Sequence, residues 1–360
     1  MKKIKLCNNA VLSENLNILN LTLNRTEMDS KRELTKPQII CDRIYQLKLP
    51  IPSSEFMYLL SYFVEGESEY LLVDSGWNST VGLDALEKQL SEIKVDLSDI
   101  SLILVTHLHP DHYGLAHEIR KKSKSKIVMG IKADEFIKRF KSFKDYFDKL
   151  IDWLKINGYP IKDLGDWVKE SPAVMKSFEP QKPDIFMKDN EILDLGNFSF
   201  KVVETPGHSP DHICLYEPRS KLLFSGDHIL PTITPNVSLP IKDFGNPLKD
   251  YLESLEKIRN LGVEKVLPAH EYAFNNLNKR VSDIEKHHEV RLREVLRVLK
   301  NPKTAYQIAQ EVTWSTGSWK RLQKWEQRAA VFETLAHLEY LKYEGKLFSV
   351  IRNENVLFYK

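Results

Sequence analysis

Three imidazoles and a carboxylate fall within six residues in Thr106-His107-Leu108-His109-Pro110-Asp111-His112, directly after the apolar run Leu102 to Val105. Packing gives no reason for that density. Along an extended turn, alternation points His107 and His109 at one cation, while Asp111 and His112, on the turn and the start of the next helix, serve a second. Imidazole and carboxylate donors at this spacing suit zinc, iron or manganese. The plainer alternative is a polar loop in which Asp111 caps the following helix by accepting backbone N–H groups.

Three further candidates each close a strand-like run: His208 in ETPGHSPDH, Asp227 in LLFSGDH and His270 in VLPAHEY. Taken singly, each reads as a surface histidine or a capping aspartate. With the first motif, however, the same position at a strand end recurs four times. In an α/β domain the loops at one sheet edge converge, so residues far apart in sequence meet there.

The elements that must position these residues follow from hydrophobic spacing. From Arg43 onward, YQLKLPIP, FMYLLSYFVEG and EYLLVDSG read as strands separated by Pro, Ser, Glu and Gly. Leu83, Leu86, Leu90 and Ile93 keep helical spacing before the strand Leu102 to Val105. From about 133 to 183 a helical insertion is predicted by Phe136, Phe140, Phe143, Phe147, Leu150 and Leu154. Strands return at NFSFKVVET, KLLFSGD and KVLPA, with a helix through Leu248, Leu252, Leu255 and Ile258 between the last two. Strand and helix alternation predicts an α/β catalytic domain over 44–280. Residues 281–360 carry three helical segments and then KLFSVIRNENVLFYK, two strand-like runs about Asn353-Glu354-Asn355. That order predicts a small winged-helix-like C-terminal domain. Residues 1–43 are an extension with one strand at Leu19, Leu21 and Leu23.

On these residues the sequence resembles the metallo-β-lactamase superfamily, whose fold is an αββα sandwich of two mixed sheets with helices on both outer sides. The resemblance covers roughly residues 44 to 280. It implies two divalent metal ions, zinc first with iron or manganese as alternatives: His107, His109 and His208 on one, Asp111, His112 and His270 on the other, and Asp227 between them. It also implies that Asp74, in LLVDSG, supports the site from behind its ligands. Two such ions share a hydroxide at neutral pH, so no serine or cysteine nucleophile is needed, and Asp111 orients that hydroxide as well as ligating. His228, Tyr272 and His212 stand next to motif residues and are candidates for steadying an oxyanion or supporting the ligands.

Bulk composition narrows the setting. The chain has 360 residues, 42% hydrophobic and 28% charged, as expected of a packed globular protein. With 52 basic against 50 acidic side chains it has no long-range field for a polyanion. Cys7, Cys41 and Cys214 are odd in number and scattered, which predicts a reducing, cytoplasmic setting and no disulfide framework. Polar residues interrupt the basic N-terminus MKKIKLCNNAVLSENLN, so no signal peptide is expected, and no apolar stretch has the ~18 residues of a membrane helix.

Three substrate classes follow. GHSPDH, SGDHIL and AHEY look most like hydroxyacylglutathione hydrolases (glyoxalase II) and related thioesterases, which implies a small ester or thioester. The helical insertion, with Phe136, Phe140, Phe147, Trp153, Tyr159 and Trp167, either roofs the metals to receive an acyl chain or packs on the main domain. His288, Arg291, Arg293 and Glu294 in HHEVRLRE resemble the β-lactamase-like-2 group, which includes endoribonucleases. Nucleic-acid contact would then use Lys320, Arg321, Lys324 and Arg328 with Trp314, Trp319 and Trp325, although 14 basic against 10 acidic residues over 281–360 is a small excess. A lactonase, or a relative using a single iron for persulfide oxidation, is the third class.

Overall fold

The computed structural model describes residues 36–52, 58–139, 143–165, 181–314 and 317–360. The strand expected at Leu19 to Leu23, and Phe140 and Trp167 of the insertion, lie outside the described residues.

Two sheets face each other. The first runs in sequence order through β1 (Gln38–Cys41), β2 (Ile44–Pro50), β3 (Tyr58–Glu65), β4 (Tyr70–Val73), β5 (Ile100–Leu104), β6 (Lys126–Gly130) and β7 (Ile185–Met187). Its first four strands are antiparallel neighbours and its last four are parallel. The second has the order β12 (Lys265–Pro268), β11 (Leu222–Gly226), β10 (Ile213–Glu217), β9 (Ser199–Glu204) and β8 (Ile192–Asp194), parallel only between β11 and β12. β1 lies inside the segment read from sequence as an extension, so the sheet begins at Gln38.

The strands are apolar on both faces because both faces are covered. Leu71, Val73, Leu102 and Leu104 meet Phe200, Val202, Leu215 and Phe224 of the other sheet. Their neighbours Leu72 and Ile103 turn outward to Leu86, Leu90 and Ile119, on helices α1 (Thr80–Glu92) and α3 (Ala116–Ser123); α2 (Pro110–Tyr113) is the turn after the first histidine motif. On the far side Val203, Cys214 and Leu223 face away from the sandwich. That surface is covered by α6 (Pro247–Arg259) and α7 (Leu277–Val298), with the insertion helix α5 (Phe143–Ile156), which follows α4 (Lys132–Arg139). Asn246 accepts from the N–H of Lys249 at 3.2 Å and Pro247 opens α6, which fixes where that helix starts.

The chain closes with α8 (Ala305–Ala309), α9 (Lys324–Tyr343) and the hairpin β13 (Phe348–Arg352) and β14 (Asn355–Tyr359). Lys303 and Phe358 exchange backbone hydrogen bonds, N–H to O, at 3.1 and 2.8 Å, tying the hairpin to the start of α8. Ile308, Val331, Leu335, Leu338 and Phe358 share one continuous core with Leu255 and Ile284, so this unit is packed on the second sheet's helices rather than hung from a linker. Among the described residues no helix is long and apolar enough to cross a membrane.

Candidate metal centre

Every motif residue lies just past the C-terminal end of a strand: Asp74 after β4, the His107 to His112 run after β5, His208 after β9, Asp227 after β11 and His270 after β12. The seven side chains expected as ligands are brought together in two groups. His107, His109, His208 and Asp227 form one, and Asp111, His112 and His270 the other, with the ligand atoms of each group within 4.8 Å of one another. Asp227 reaches both: its Oδ2 is 3.5 Å from His208 Nε2 and 3.4 Å from His112 Nε2, and its Oδ1 is 3.4 Å from His270 Nε2.

The partners behind the rings determine which nitrogens are bare. His208 Nδ1 is 2.8 Å from the carbonyl of Asn236, which can only accept, so the proton is on Nδ1 and the lone pair on Nε2. His112 Nδ1 donates to Asp74 Oδ2 at 2.8 Å, which turns its Nε2 toward the centre, where a bound cation would take the place of the Nε2 proton. Thr106 Oγ1 uses its one proton on Asp74 and accepts from His107 Nδ1 at 3.1 Å, so His107 Nε2 is bare as well. The bare Nε2 atoms of His107 and His208 then lie 2.8 and 3.1 Å from His109 Nδ1. A proton on His109 Nδ1 can serve one of these two nitrogens and leaves the other without a donor, whereas a cation among them would serve all three. Among the described residues, no hydrogen bond of good geometry reaches the buried His112 Nε2 or Asp227 Oδ1, the condition expected of atoms that a metal would engage. The donor set therefore fits divalent metal ions.

The electrostatics split the two groups. Burial, with neighbouring imidazoles adding to it, pushes His109 down to about 3 and His107 and His208 below the ordinary histidine range, so these rings are neutral. Burial also opposes charge on His112 and His270, but the carboxylates of Asp74 and Asp227, with Asp111, outweigh it; His112 is raised and His270 is held up to about 9.

Asp74 has both oxygens committed, Oδ1 to the N–H of Thr106 at 2.8 Å and Oδ2 to His112. His228 is fully buried but turned from the ligands, its ring 5.1 Å from that of Tyr251. Tyr272 is 52% exposed on the loop after His270. Neither is among the converging groups.

Sequence reading missed one support. Asp211 accepts from the N–H of Leu108 at 2.9 Å and so holds the middle of the histidine motif. His212, a candidate for steadying an oxyanion or supporting the ligands, accepts the N–H of Asp227 on Nε2 at 3.2 Å and donates from Nδ1 to Thr205 Oγ1 at 2.8 Å, contacts of the supporting kind. The one available signal was the left-handed Gly226, φ 49°, where a Cβ would come within 2.7 Å of His212 Nε2. In the C-terminal unit, Arg291 lies over the Trp314 ring at 4.4 Å, Trp319 packs edge-on to Tyr306 and Lys324 pairs with Asp163 at 3.0 Å. Of the three tryptophans only Trp325, 53% exposed, is open to solvent.

The comparisons agree with this geometry. The sequence profile of the metallo-beta-lactamase superfamily matches residues 57–270. The chain is 27% identical over 310 residues to the probable metallo-hydrolase YqjP of Bacillus subtilis, covering 83% of this chain and 92% of that protein. It is 38% identical over 101 residues to the hydroxyacylglutathione hydrolase of Francisella tularensis subsp. novicida, but covers 28% of this chain and 39% of that enzyme. The crystal structure of the metallo-beta-lactamase family protein TTHA1429 from Thermus thermophilus superposes with a TM-score of 0.74 at 27% identity, over 89% of this chain and all of that one. With profile, sequence and fold in accord over more than half its length, the chain belongs to the metallo-beta-lactamase superfamily and is one of its hydrolases.

Proposed function

We propose that the protein is a binuclear zinc hydrolase of thioesters or esters. In this reading His107, His109 and His208 hold one ion, Asp111, His112 and His270 the other, and Asp227 joins both. The supporting observation is the set of hydrogen bonds behind His107, His112 and His208, which turns the Nε2 atom of each ring toward the centre. When bound, two such ions lower the pKa of a water between them and polarise the substrate carbonyl.

The protein's own groups do the rest. Burial resists the charge on Asp111, but His112 and His270 overcome it and hold the carboxyl down to about 2. It is thus ionised and 3.4 Å from His270, placed to accept a proton from the attacking water and turn its lone pair to the carbonyl. Asp74 keeps the His112 ring in one tautomer while this happens.

Thioesters are favoured because the hydroxyacylglutathione hydrolase likeness falls on about a hundred residues. Glutathione specificity does not carry over, since most of that enzyme is unmatched. The C-terminal unit, read as winged-helix-like, has two of its three stretch tryptophans, Trp314 and Trp319, engaged in packing, which weighs against base stacking on RNA although Lys320, Arg321 and Trp325 are exposed. The test is thiol release from short and long glutathione and coenzyme A thioesters by zinc-loaded protein beside an EDTA-stripped control. Metal-dependent turnover supports the proposal; silence across the panel sinks it and moves the substrate to phosphodiesters.

A further inference from the structure

Residues 230–239, LPTITPNVSL, form no helix or strand, yet the carbonyl of Asn236 in this segment orients His208. A loop carbonyl can fix a ring only if its own backbone is held, because each free residue would otherwise retain ~1–2 kcal/mol of conformational entropy to lose. The holding groups are a charged pair that the sequence reading did not single out. Arg280, on α7, donates from Nε to the carbonyl of Leu230 at 2.6 Å and from Nη2 to those of Thr232 and Ile233 at 3.1 and 2.7 Å. Glu271 accepts from the N–H groups of Thr232 and Ile233 at 3.0 and 3.1 Å and from the Thr232 hydroxyl. Arginine thus takes the segment's carbonyls and glutamate its amides. At the far end the N–H of Leu239 donates to Phe332 O on α9 at 3.0 Å, and Trp153 Nε1 of the insertion donates to Leu239 O at 3.1 Å.

Glu271 directly follows His270 and sits at φ 68°, a left-handed position that a glutamate adopts at a cost of about 1 kcal/mol or more. That conformation swings its carboxylate onto the segment that carries Asn236. We propose that Glu271 and Arg280 are positioning residues: they clamp the 230–239 segment so that Asn236 sets the His208 ring, and so couple the second ligand group, through His270, to the first. The inference rests on the metal-centre reading above, and its test does not depend on the substrate.

Zinc titration of metal-free protein against a competing chelator reads the two affinities, and the His208 Nδ1–H signal in ¹H–¹⁵N spectra reads the bond to Asn236. In Arg280→Met and Glu271→Ala, one of two zinc ions is expected to bind about tenfold more weakly, and the His208 signal to shift or be lost to exchange. Arg280→Lys, with one point charge for a fork, should recover part of both effects. Unchanged affinities with the signal in place, in variants that circular dichroism shows folded, would overturn the clamp. If the two strong variants do not fold, Thr232→Val and Arg280→Lys carry the test, with smaller changes expected in the same readouts and none overturning it. A wild-type chain that takes up no zinc refutes the metal centre, and the His208 signal still decides the clamp. Two bound zinc ions without turnover refute only the substrate.

Discussion

The backbone N–H of Asp227 donates to Nε2 of His212 at 3.2 Å, so a histidine outside both ligand groups fixes the main chain of the aspartate shared between them. Removing that ring strands a buried N–H and leaves the Thr205 hydroxyl only its contact with Cys214 Sγ at 3.3 Å. His212→Ala is expected to cost about 1–3 kcal/mol in the urea midpoint and to weaken zinc roughly tenfold without abolishing its binding. Loss of both ions would instead make His212 a ligand.

Asp74 offers a cleaner electrostatic test. Its two oxygens accept from different donors, Thr106 N–H and His112 Nδ1–H, and an amide can accept from only one of them. Asn also tolerates the left-handed backbone at this position, φ 59°, so strain does not confuse the result. Asp74→Asn should lower zinc affinity by about 10- to 100-fold, read by competitive titration. An affinity within twofold of wild type would show that the pair is dispensable.

The converging residues were legible because each is an imidazole or carboxylate standing where an apolar strand stops, and because continuous apolar runs such as Leu102 to Val105 say where that is. The role of His212 stayed open between chemistry and support, because its place in GHSPDH suggests the first while the backbone N–H it accepts cannot be revealed by spacing. The Glu271 and Arg280 contacts depend on the path of an irregular loop, which has no periodicity. Trp314 and Trp319 resemble a stacking platform in sequence, because spacing alone does not show that one lies under Arg291 and the other against Tyr306. β1 was overlooked since QIIC is a short edge strand with little burial to pattern it.

Stripping the metal should destabilise the folded chain, because buried donors then face one another without a cation. Zinc at a hundredfold excess over Kd contributes about 2.7 kcal/mol per site, which for a domain of this size corresponds to a melting shift of roughly 5 °C or more. Scanning calorimetry with and without EDTA measures it. Coincident melting curves would argue against bound metal.

Trp153, on α5, is 7% exposed, shares the outer core with Leu154 and Tyr159, and donates to Leu239 O. Its truncation removes packing and the hydrogen bond to the 230–239 segment. Trp153→Ala is expected to cost about 3–5 kcal/mol and to depress short and long acyl substrates alike. A loss confined to long chains would make the insertion an acyl roof.

Stability should also depend on pH through the C-terminal unit. His337 Nδ1 donates to the carbonyl of Glu333 at 2.8 Å, so its Nε2 is bare and accepts from His288 Nδ1 at 3.1 Å. Both rings are buried; burial pushes His337 down to about 3, and it holds His288 well below the ordinary histidine range with help from His337, His287 and Arg291. The folded chain therefore keeps the pair neutral, while the unfolded chain takes up protons below about pH 6.5. Because the unfolded state binds more protons, stability falls as pH drops through this range. Glu333, raised to about 7 by its burial, works in the opposite sense between about 4.5 and 7, since its folded form binds the extra proton. Comparing wild type with His337→Gln at fixed zinc loading cancels that contribution and those of the ligand histidines. Between pH 6.5 and 5 the wild type should lose up to about 2 kcal/mol more than the variant, read from denaturant midpoints. Parallel pH profiles would mean that His337 is protonated equally in both states, which the bare Nε2 facing His288 opposes.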